Sequence, residues 1–319
     1  MDNTAANTSP FRIGFLLIDG FALMAYAAAI EPLRAANQLA GKQLYEISHF
    51  AVSGESAFSS SGASIAADAS ARGRLDFDLV LVVAGGEPAQ FNDPPTLQWL
   101  RHLAKNGVQL GGVSGGPVIL AMAGLMNGRR MTVHWEHAEA LIDRLPELMI
   151  ERSLYVIDRD RITCAGGIAP LDLMHALITE HHGTALPAKI SDWFMHTQIR
   201  PSGGPQRAGL VERYGTTSRP VIVALEVMTN HIADPLTLNQ LAGLANISSR
   251  QLNRLFKEKL DQSAMSFYRD IRLEKAHNFL TQSTLSTTQI ALATGFAGSA
   301  HFSTSFSAKY GQPPSSIRG

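Results

Sequence analysis

The sequence predicts an α/β amino-terminal half, with a parallel sheet covered by helices on both faces, and an all-α carboxy-terminal half with two helix-turn-helix units. Three observations support this prediction. Apolar runs of strand length alternate with helical segments as far as His182, the pattern from Pro220 onward is helical in period, and one stretch of the helical half occurs twice. We therefore expect two domains of different class in 319 residues.

The strand candidates of the first half are apolar on both faces, which is typical of a parallel sheet buried between helices. We place strands at 11–18, 44–52, 78–83, 108–113, 154–158 and 161–164. Helices are predicted at 22–37, 96–106, from 117 to 123 and at 171–182, and a connection rich in Ser, Gly and Ala runs from the second strand to about Ala71.

Two segments lack any periodicity. Residues 1–10 are polar and predict a flexible tail. Residues 200–219 contain two Pro and four Gly and predict an interdomain linker. The expected domains are therefore 11–199 and 220–319.

Composition excludes a membrane protein and a disulfide scaffold. No apolar run approaches the roughly 20 residues that cross a bilayer, so no membrane partner is expected. The single cysteine, Cys164, rules out an internal disulfide and fits a reducing cytoplasm, where we expect the protein to act. The net charge is zero, but residues 219–319 carry ten Lys or Arg against six Asp or Glu, a basic excess that suits nucleic acid.

The duplicated stretch carries the functional signal. Leu252 and Phe256 recur as Phe302 and Phe306 at an offset of 50 residues. Apolar pairs at this spacing occur in any helical bundle. Repetition of the whole unit together with the basic excess favours a helix-turn-helix, whose second helix enters the DNA major groove.

Each second helix presents a candidate reading face. In the first unit it comprises Ser249, Arg250, Gln251, Asn253 and Arg254. Arg can bond guanine bidentately and Asn can do so with adenine, although a solvated helix face has the same composition.

The second unit presents a different set: Ser299, Ala300, His301, Ser303 and Thr304. None carries a permanent positive charge, so this unit should discriminate bases less sharply and depend on phosphate or methyl contacts. A single helix at 265–282 should hold the two recognition helices about one turn of DNA apart, roughly 34 Å.

The first half contains a candidate nucleophile elbow. A strand, the sharp turn Ser114-Gly115-Gly116-Pro117 and a helix would expose Ser114 at the carboxyl end of the sheet. With Glu31 and His134 as partners Ser114 could be a nucleophile, but a Ser in a Gly-rich turn is common, and catalysis requires a base within hydrogen-bond reach.

A pocket is expected at the carboxyl ends of the strands. Its predicted lining is Glu31, Gly85, Gly86, Ser114, Gly115, His134 and Trp135. Glu31 and Trp135 would suit a cationic amine, although core packing explains Trp135 equally well. His134 with His137, and His181 with His182, lack a third ligand, so no metal and no cofactor are expected. Asp172, near a helix start, should cap the helix or complement its dipole.

Residues 220–319 resemble the DNA-binding domain of AraC-type transcriptional regulators. The resemblance lies in the linking-helix pattern YRDIRLEKAHNFL and in the signature GF-x5-F-x3-F-x2-KYG-x-PP-x3-R, which ends at Arg318. It implies double-stranded promoter DNA and RNA polymerase as partners. Many members have Arg where this chain has Thr304, which again indicates a weaker second reader.

Residues 11 to about 197 resemble PfpI-type proteases and class I glutamine amidotransferases, and above all the sensor half of GlxA-type AraC regulators. The motifs are IEPLRAAN, VVAGG, GGVSGGPVILAMAGLMNGRRMTVHW and CAGGIAPLDLM. The resemblance implies a flavodoxin-like fold, a homodimer formed through the sensor half, and a small-molecule effector such as a quaternary amine or amino acid.

The enzymes of that superfamily have a cysteine at the elbow, where this chain has Ser114. A neutral hydroxyl is a poor nucleophile without a dedicated base, so we expect a binding pocket and no enzyme. The predicted function is a ligand-responsive transcription regulator that activates a catabolic operon. The alternative is an amidase or hydrolase using Ser114, with DNA binding secondary.

Overall fold

A computed structural model describes residues 9–70, 74–207, 209–283 and 285–317. The chain divides into two units, Met1–Gln206 and Arg207–Gly319. Most of the expected tail, residues 1–8, and the last signature residue, Arg318, lie outside the described residues. No helix of the described ranges is both long enough and apolar enough to cross a membrane.

The first unit is built on a seven-stranded sheet. Its strands are β1 Phe11–Leu17, β2 Tyr45–Ala51, β5 Ala69–Ser70, β6 Leu79–Ala84, β7 Gln109–Ser114, β10 Tyr155–Asp158 and β11 Arg161–Cys164. Two short pairs stand apart from this sheet, β3 Ser56–Phe58 with β4 Ser64–Ala66 and β8 Arg130–Thr132 with β9 Met149–Glu151.

The strand order is β10-β11-β7-β6-β1-β2-β5. Every pair in the main sheet is parallel except β10 with β11 at one edge. The predicted parallel sheet is therefore confirmed, with one antiparallel edge strand. The connection before Ala71 contains β3 and β4, which the sequence did not reveal because three-residue strands are too short to show a period.

Helices cover both faces of this sheet. They are α1 Leu23–Ala40, α2 Pro94–Lys105, α3 Gly116–Met122, α4 Ala138–Arg144, α5 Ala169–His182 and α6 Ala185–Trp193. Alternate residues of β6 point to opposite sides, since Leu81 packs in one apolar cluster with Leu173 of α5, and Val82 packs in another with Trp99 of α2. The two-sided burial explains why the central strands are apolar throughout.

The second unit is entirely helical in the residues described. Its helices are α7 Leu210–Tyr214, α8 Arg219–Asn230, α9 Leu238–Leu244, α10 Ser249–Leu260, α11 Ala264–Gln282, α12 Thr287–Ala293 and α13 Ser299–Tyr310. Its described residues form two separate apolar clusters, one around Leu252 and Phe256 and the other around Phe302 and Phe306. The range 200–219, expected as a linker, contains α7 and the first residue of α8.

Candidate functional site

The two helix-turn-helix units bury the same positions. Each consists of a short first helix, α9 or α12, and a second helix, α10 or α13. The equivalent buried residues are Leu241 and Ile290, Ala242 and Ala291, Leu252 and Phe302, and Phe256 and Phe306. Both second helices therefore turn their apolar stripe inward, which leaves the opposite face to solvent.

The turn between the helices is also repeated. Asn246 in the first helix-turn-helix and Gly295 in the second have left-handed backbone angles, with φ 54° and 71°. The next amide in each unit donates to the carbonyl five residues earlier, at 3.0 Å for Ile247 and 2.8 Å for Phe296. The sequence repeat is thus a repeat of backbone conformation.

The turn of the second helix-turn-helix packs against the segment that precedes α9. A Cβ on Gly295 would lie 2.6 Å from the carbonyl oxygen of Ile232 and 2.6 Å from Cδ of Pro235. Arg272 of α11 donates to the carbonyls of Thr294, at 2.7 Å, and Gly295, at 2.5 Å. These contacts fix the linking helix and the second reader relative to each other.

Two arginines dominate the reading face of α10. Arg250 and Arg254 are exposed, and neither forms a hydrogen bond or ion pair with the described residues. Guanidinium groups held on a rigid helix without hydrogen-bonded internal partners can contact phosphates or guanine edges without first breaking a hydrogen bond.

The other three predicted residues of α10 have structural partners. Gln251 completes a capping box with Ser248, and Ser249 Oγ donates to Asn239 Oδ1 at 2.5 Å. Asn253 Oδ1 accepts from the amide of Ala264 at 3.0 Å, at the start of α11. A bidentate adenine contact uses the same oxygen, so base readout by Asn253 would share that oxygen with the helix junction.

The reading face of α13 is neutral. Ala300, His301 and Thr304 are exposed, whereas Ser299 and Ser303 are half-buried. Thr304 Oγ1 donates back to the carbonyl of Ala300 at 3.0 Å. The one lysine of this helix, Lys309, is bound by the carbonyl of Asp270 and by Glu274, at 2.9 and 3.1 Å.

The elbow at Ser114 is formed as predicted. Ser114 ends β7 with φ 59°, a left-handed angle that is strained for a residue with a side chain. A Cβ on Gly166, in the loop before α5, would lie 2.8 Å from Cβ of Ser114. A Cβ on Gly116 would overlap the carbonyl oxygen of Val82. Glycine is therefore required at positions 116 and 166 for the elbow to form.

Gly85, Gly86 and Gly115 lie at the same edge of the sheet as Ser114. Ala84, which precedes Gly85, is paired with Ser114 across β6 and β7. The amide of Gly115 donates to the carbonyl of Ala84 at 3.0 Å. The structure brings these four predicted pocket residues together, and we refer to this region as the strand-edge site.

Glu31 has an internal partner. On α1 its carboxylate accepts from Arg34 Nε at 2.8 Å and forms an ion pair with Arg34 Nη2 at 2.7 Å. Arg34 Nη1 also donates to Gln38 at 2.9 Å. A cationic ligand that used Glu31 would compete with this guanidinium.

His134 and Trp135 follow β8, with their rings 5.2 Å apart. Nδ1 of His134 lies 3.4 Å from a carboxylate oxygen of Glu136. The amide of Thr132, two residues earlier, donates to Thr163 Oγ1 of β11 at 2.9 Å. This hydrogen bond ties the segment that carries His134 to the main sheet.

Asp172 is the centre of a buried polar cluster that the sequence did not reveal. It lies in the first turn of α5 but does not cap that helix, whose N-cap is Ile168. The fully buried carboxylate accepts from Arg200 at 2.6 and 2.9 Å and bonds His196 at 3.0 Å. A buried carboxylate needs such partners, and they stand 24 and 28 residues away in the sequence.

Cys164, at the end of β11, is fully buried, and this burial raises the pKa of its thiol to about 12. It is therefore an unreactive core residue. Within the described ranges, no group of three or more His, Cys, Asp or Glu side chains could hold a metal ion.

Both the amino-terminal and the carboxy-terminal unit of the chain are similar to known protein families. Residues 11–180 match the DJ-1/PfpI family, and residues 241–319 match a helix-turn-helix domain. The chain is 45% identical over 309 residues to the HTH-type transcriptional regulator GlxA of Rhizobium meliloti, covering 96% of this chain and 95% of that one. It is 40% identical over 304 residues to the HTH-type transcriptional regulator CdhR of Pseudomonas aeruginosa, covering 95% and 90%.

A solved structure of similar fold is that of an AraC family transcriptional regulator from Pseudomonas putida. It is 25% identical, with a TM-score of 0.53, and the match covers 58% of this chain and all of that one. A transcriptional regulator protein from Vibrio parahaemolyticus shares the fold at 19% identity, with a TM-score of 0.52 over 59% of this chain.

Proposed function

This chain belongs to the DJ-1/PfpI family and to the GlxA-type, AraC-family transcriptional regulators, and on that premise we propose that a small-molecule effector in the first unit controls promoter binding by α10 and α13. One observation carries the assignment of the reader. Arg250 and Arg254 are exposed and form no hydrogen bond with the described residues, on the helix whose other face, Leu252 and Phe256, is fully buried.

We propose unequal readers. Arg254 and Arg250 supply direct base contacts, whereas α13, with Ala300, His301 and Thr304 exposed, follows phosphates and thymine methyl groups. The other predicted residues of the two helices position the helices or contact the backbone of DNA: Ser249, Gln251, Asn253, Ser299 and Ser303.

We propose that the effector binds at the strand-edge site, with His134, Trp135 and Glu31 contributing. Family resemblance supports a quaternary amine or an amino acid. Because Glu31 is paired with Arg34, a zwitterion that can satisfy both charges suits the site better than a lone cation. A thermal-shift screen of such compounds on the full chain tests this, since a ligand of the folded state raises its apparent stability.

Ser114 is proposed to bind and not to catalyse. Its replacement by Ala should leave DNA binding intact and alter only the response to the effector. The competing proposal, an amidase or hydrolase with DNA binding secondary, requires a hydrolytic turnover that disappears in Ser114→Ala, and retained effector-dependent control of promoter binding in Ser114→Ala would refute it.

We propose the remaining elements from family resemblance and, for the location and the domain bounds, from the sequence pattern. The regulator acts in the cytoplasm as a homodimer joined through the sensor domain, contacts RNA polymerase and activates a catabolic operon. Its proposed domains are 11–199 for sensing and 220–319 for DNA binding, with 200–219 between them.

The reader is tested by comparing two variants of α10. Arg254→Ala removes a proposed base contact, and Lys259→Ala removes the same charge about 140° around the helix. A lost bidentate contact lowers affinity for promoter DNA by about 1 to 3 kcal/mol, or roughly 5- to 150-fold, and relaxes the preference at one base pair. Equal effects of the two variants, with unchanged sequence preference, would refute the assignment of α10.

A further inference from the structure

The last residues of the first unit are bound to it at several points. We call residues 196–206, which lead to the second unit, the strap. His196 and Arg200 bind the buried Asp172, and the carbonyl of Ser202 accepts from the amide of Leu154 at 2.7 Å. The strap is therefore held along its length rather than free.

Gln206 holds the end of the strap. Its Nε2 lies 3.1 Å from Thr132 Oγ1, 3.0 Å from the carbonyl oxygen of Val133 and 2.7 Å from that of Ser153, and its two hydrogens are shared among these three acceptors. This one side-chain amide thus binds the end of the strap to two different segments of the sheet region. Gln206 is also the last residue of the unit.

One anchor point is connected to the strand-edge site, and the other to the segment that carries His134. Asp172 lies in the first turn of α5, and the amide of Ala169 at the start of that helix donates to Gly166, which packs against Ser114. At the other anchor, Thr132 and Val133 directly precede His134. The strap is therefore connected, through α5 and through the segment after β8, to residues proposed to bind the effector, Ser114 and His134.

We propose that the strap transmits occupancy of the strand-edge site to the DNA-binding unit, with Gln206 as the contact that is released. This inference rests on the proposed function. A ligand shifts the equilibrium only if it binds one arrangement better, and a ligand beside His134 displaces the segment to which Gln206 is bonded.

Release of Gln206 lengthens the tether to the second unit. Three residues separate Gln206 from Leu210, the start of α7, whereas seven separate Ser202 from Leu210. At about 3.4 Å per residue the reach grows from roughly 10 to roughly 24 Å. In the proposed homodimer, one DNA-binding unit is tethered near the DNA that the other unit has bound. Its effective concentration there falls with about the three-halves power of the tether length, which gives a loss in promoter affinity of about fourfold.

The experiment fills the site without knowledge of the natural effector. Ser114→Cys in the full chain is treated with a trimethylammonium-ethyl methanethiosulfonate, whose sulfenyl group forms a mixed disulfide with the new thiolate as methanesulfinate leaves. The parent chain is the control for labelling, because its one cysteine, Cys164, is buried and protonated. Hydrogen exchange of the Gly204 amide, which donates to Pro201 at 2.9 Å within the strap, reports release.

Gln206→Leu cuts the anchor, and the exposed Gln98→Leu on α2 is the matched control. Gln206→Ala, which admits water to the three acceptors, serves as a second variant if the leucine protein does not fold.

We expect labelling of Ser114→Cys to accelerate Gly204 exchange and to lower promoter affinity about fourfold. Gln206→Leu should show both effects unlabelled, and labelling of the combined variant should add nothing. Gln98→Leu should match the parent.

Two results would refute the proposal that the strap transmits occupancy of the site. One is an unchanged rate of Gly204 exchange on labelling, and the other is an equal effect of labelling on promoter affinity with and without Gln206. If no form of the chain binds promoter DNA, the proposed function fails, and Gly204 exchange still decides whether the site moves the strap.

Discussion

The repeated turn of the two helix-turn-helix units makes a sharp prediction about stability. Gly295 and Asn246 occupy equivalent positions with φ 71° and 54°. Only Gly295 is crowded, since an added Cβ would lie 2.6 Å from the carbonyl oxygen of Ile232. Gly295→Ala therefore introduces both a Cβ in the left-handed region and a steric clash, whereas Asn246→Ala loses only the better tolerance of Asn for that conformation.

The magnitudes differ for the two substitutions. An L-residue in the left-handed region costs about 1 to 2 kcal/mol, and overpacking a closed site costs about 1 to 3 kcal/mol more. We expect Gly295→Ala to lower the free energy of unfolding of the second unit by about 3 kcal/mol. Asn246→Ala should lower it by about 1 kcal/mol. With a urea slope of about 1.5 kcal/mol/M, the midpoint falls by about 2 M for Gly295→Ala.

The positions of the tryptophans allow the two units to be followed separately. Trp99, Trp135 and Trp193 all belong to the first unit, so their fluorescence reports its unfolding and should not change in either variant. Circular dichroism in the helical region adds the transition of the second unit. Equal losses for Gly295→Ala and Asn246→Ala would refute the contact between the turn and Ile232.

Two further predictions concern the first unit. Burial lowers the pKa values of His49, His175, His181 and His182, so below about pH 6.5 the unfolded chain binds more protons than the folded one. Stability from this source is present above that pH and lost as the pH falls, so the urea midpoint of tryptophan fluorescence should drop from pH 7.5 to about 5.5; an unchanged or rising midpoint contradicts it. Cys164, with a pKa of about 12, should react with a thiol reagent at pH 8 only as fast as the unit unfolds, and fast labelling of the native chain contradicts its burial.

Patterns of local period allowed much of the fold to be predicted. The strands of the main sheet from β1 to β11, apart from the two-residue β5, are long enough to show apolar runs, and the buried pairs Leu252 with Phe256 and Phe302 with Phe306 show the helical spacing directly. The elbow at Ser114 could be predicted because glycines surround a single serine between a strand and a helix.

Contacts between distant residues could not be predicted in this way. Asp172 was interpreted from its place near a helix start, but its partner Arg200 stands 28 residues later in a segment without periodicity. Asn253 had the residue type of an adenine reader, and only the fold shows that its oxygen caps Ala264. The pairing of Glu31 with Arg34 was open to a helical-spacing argument and was missed.

We propose that one chain reads promoter DNA with two unequal helices, and a hydroxyl-radical footprint of the full chain tests this most directly. The linking helix α11 has 19 residues, or about 28 Å of rise, which suits two adjacent major-groove contacts on one face of DNA. We predict two protected patches about one helical turn apart, roughly 10 base pairs. Arg254→Ala should weaken the protection of one patch and leave the other unchanged. A single patch, or equal weakening of both by Arg254→Ala, would contradict the account.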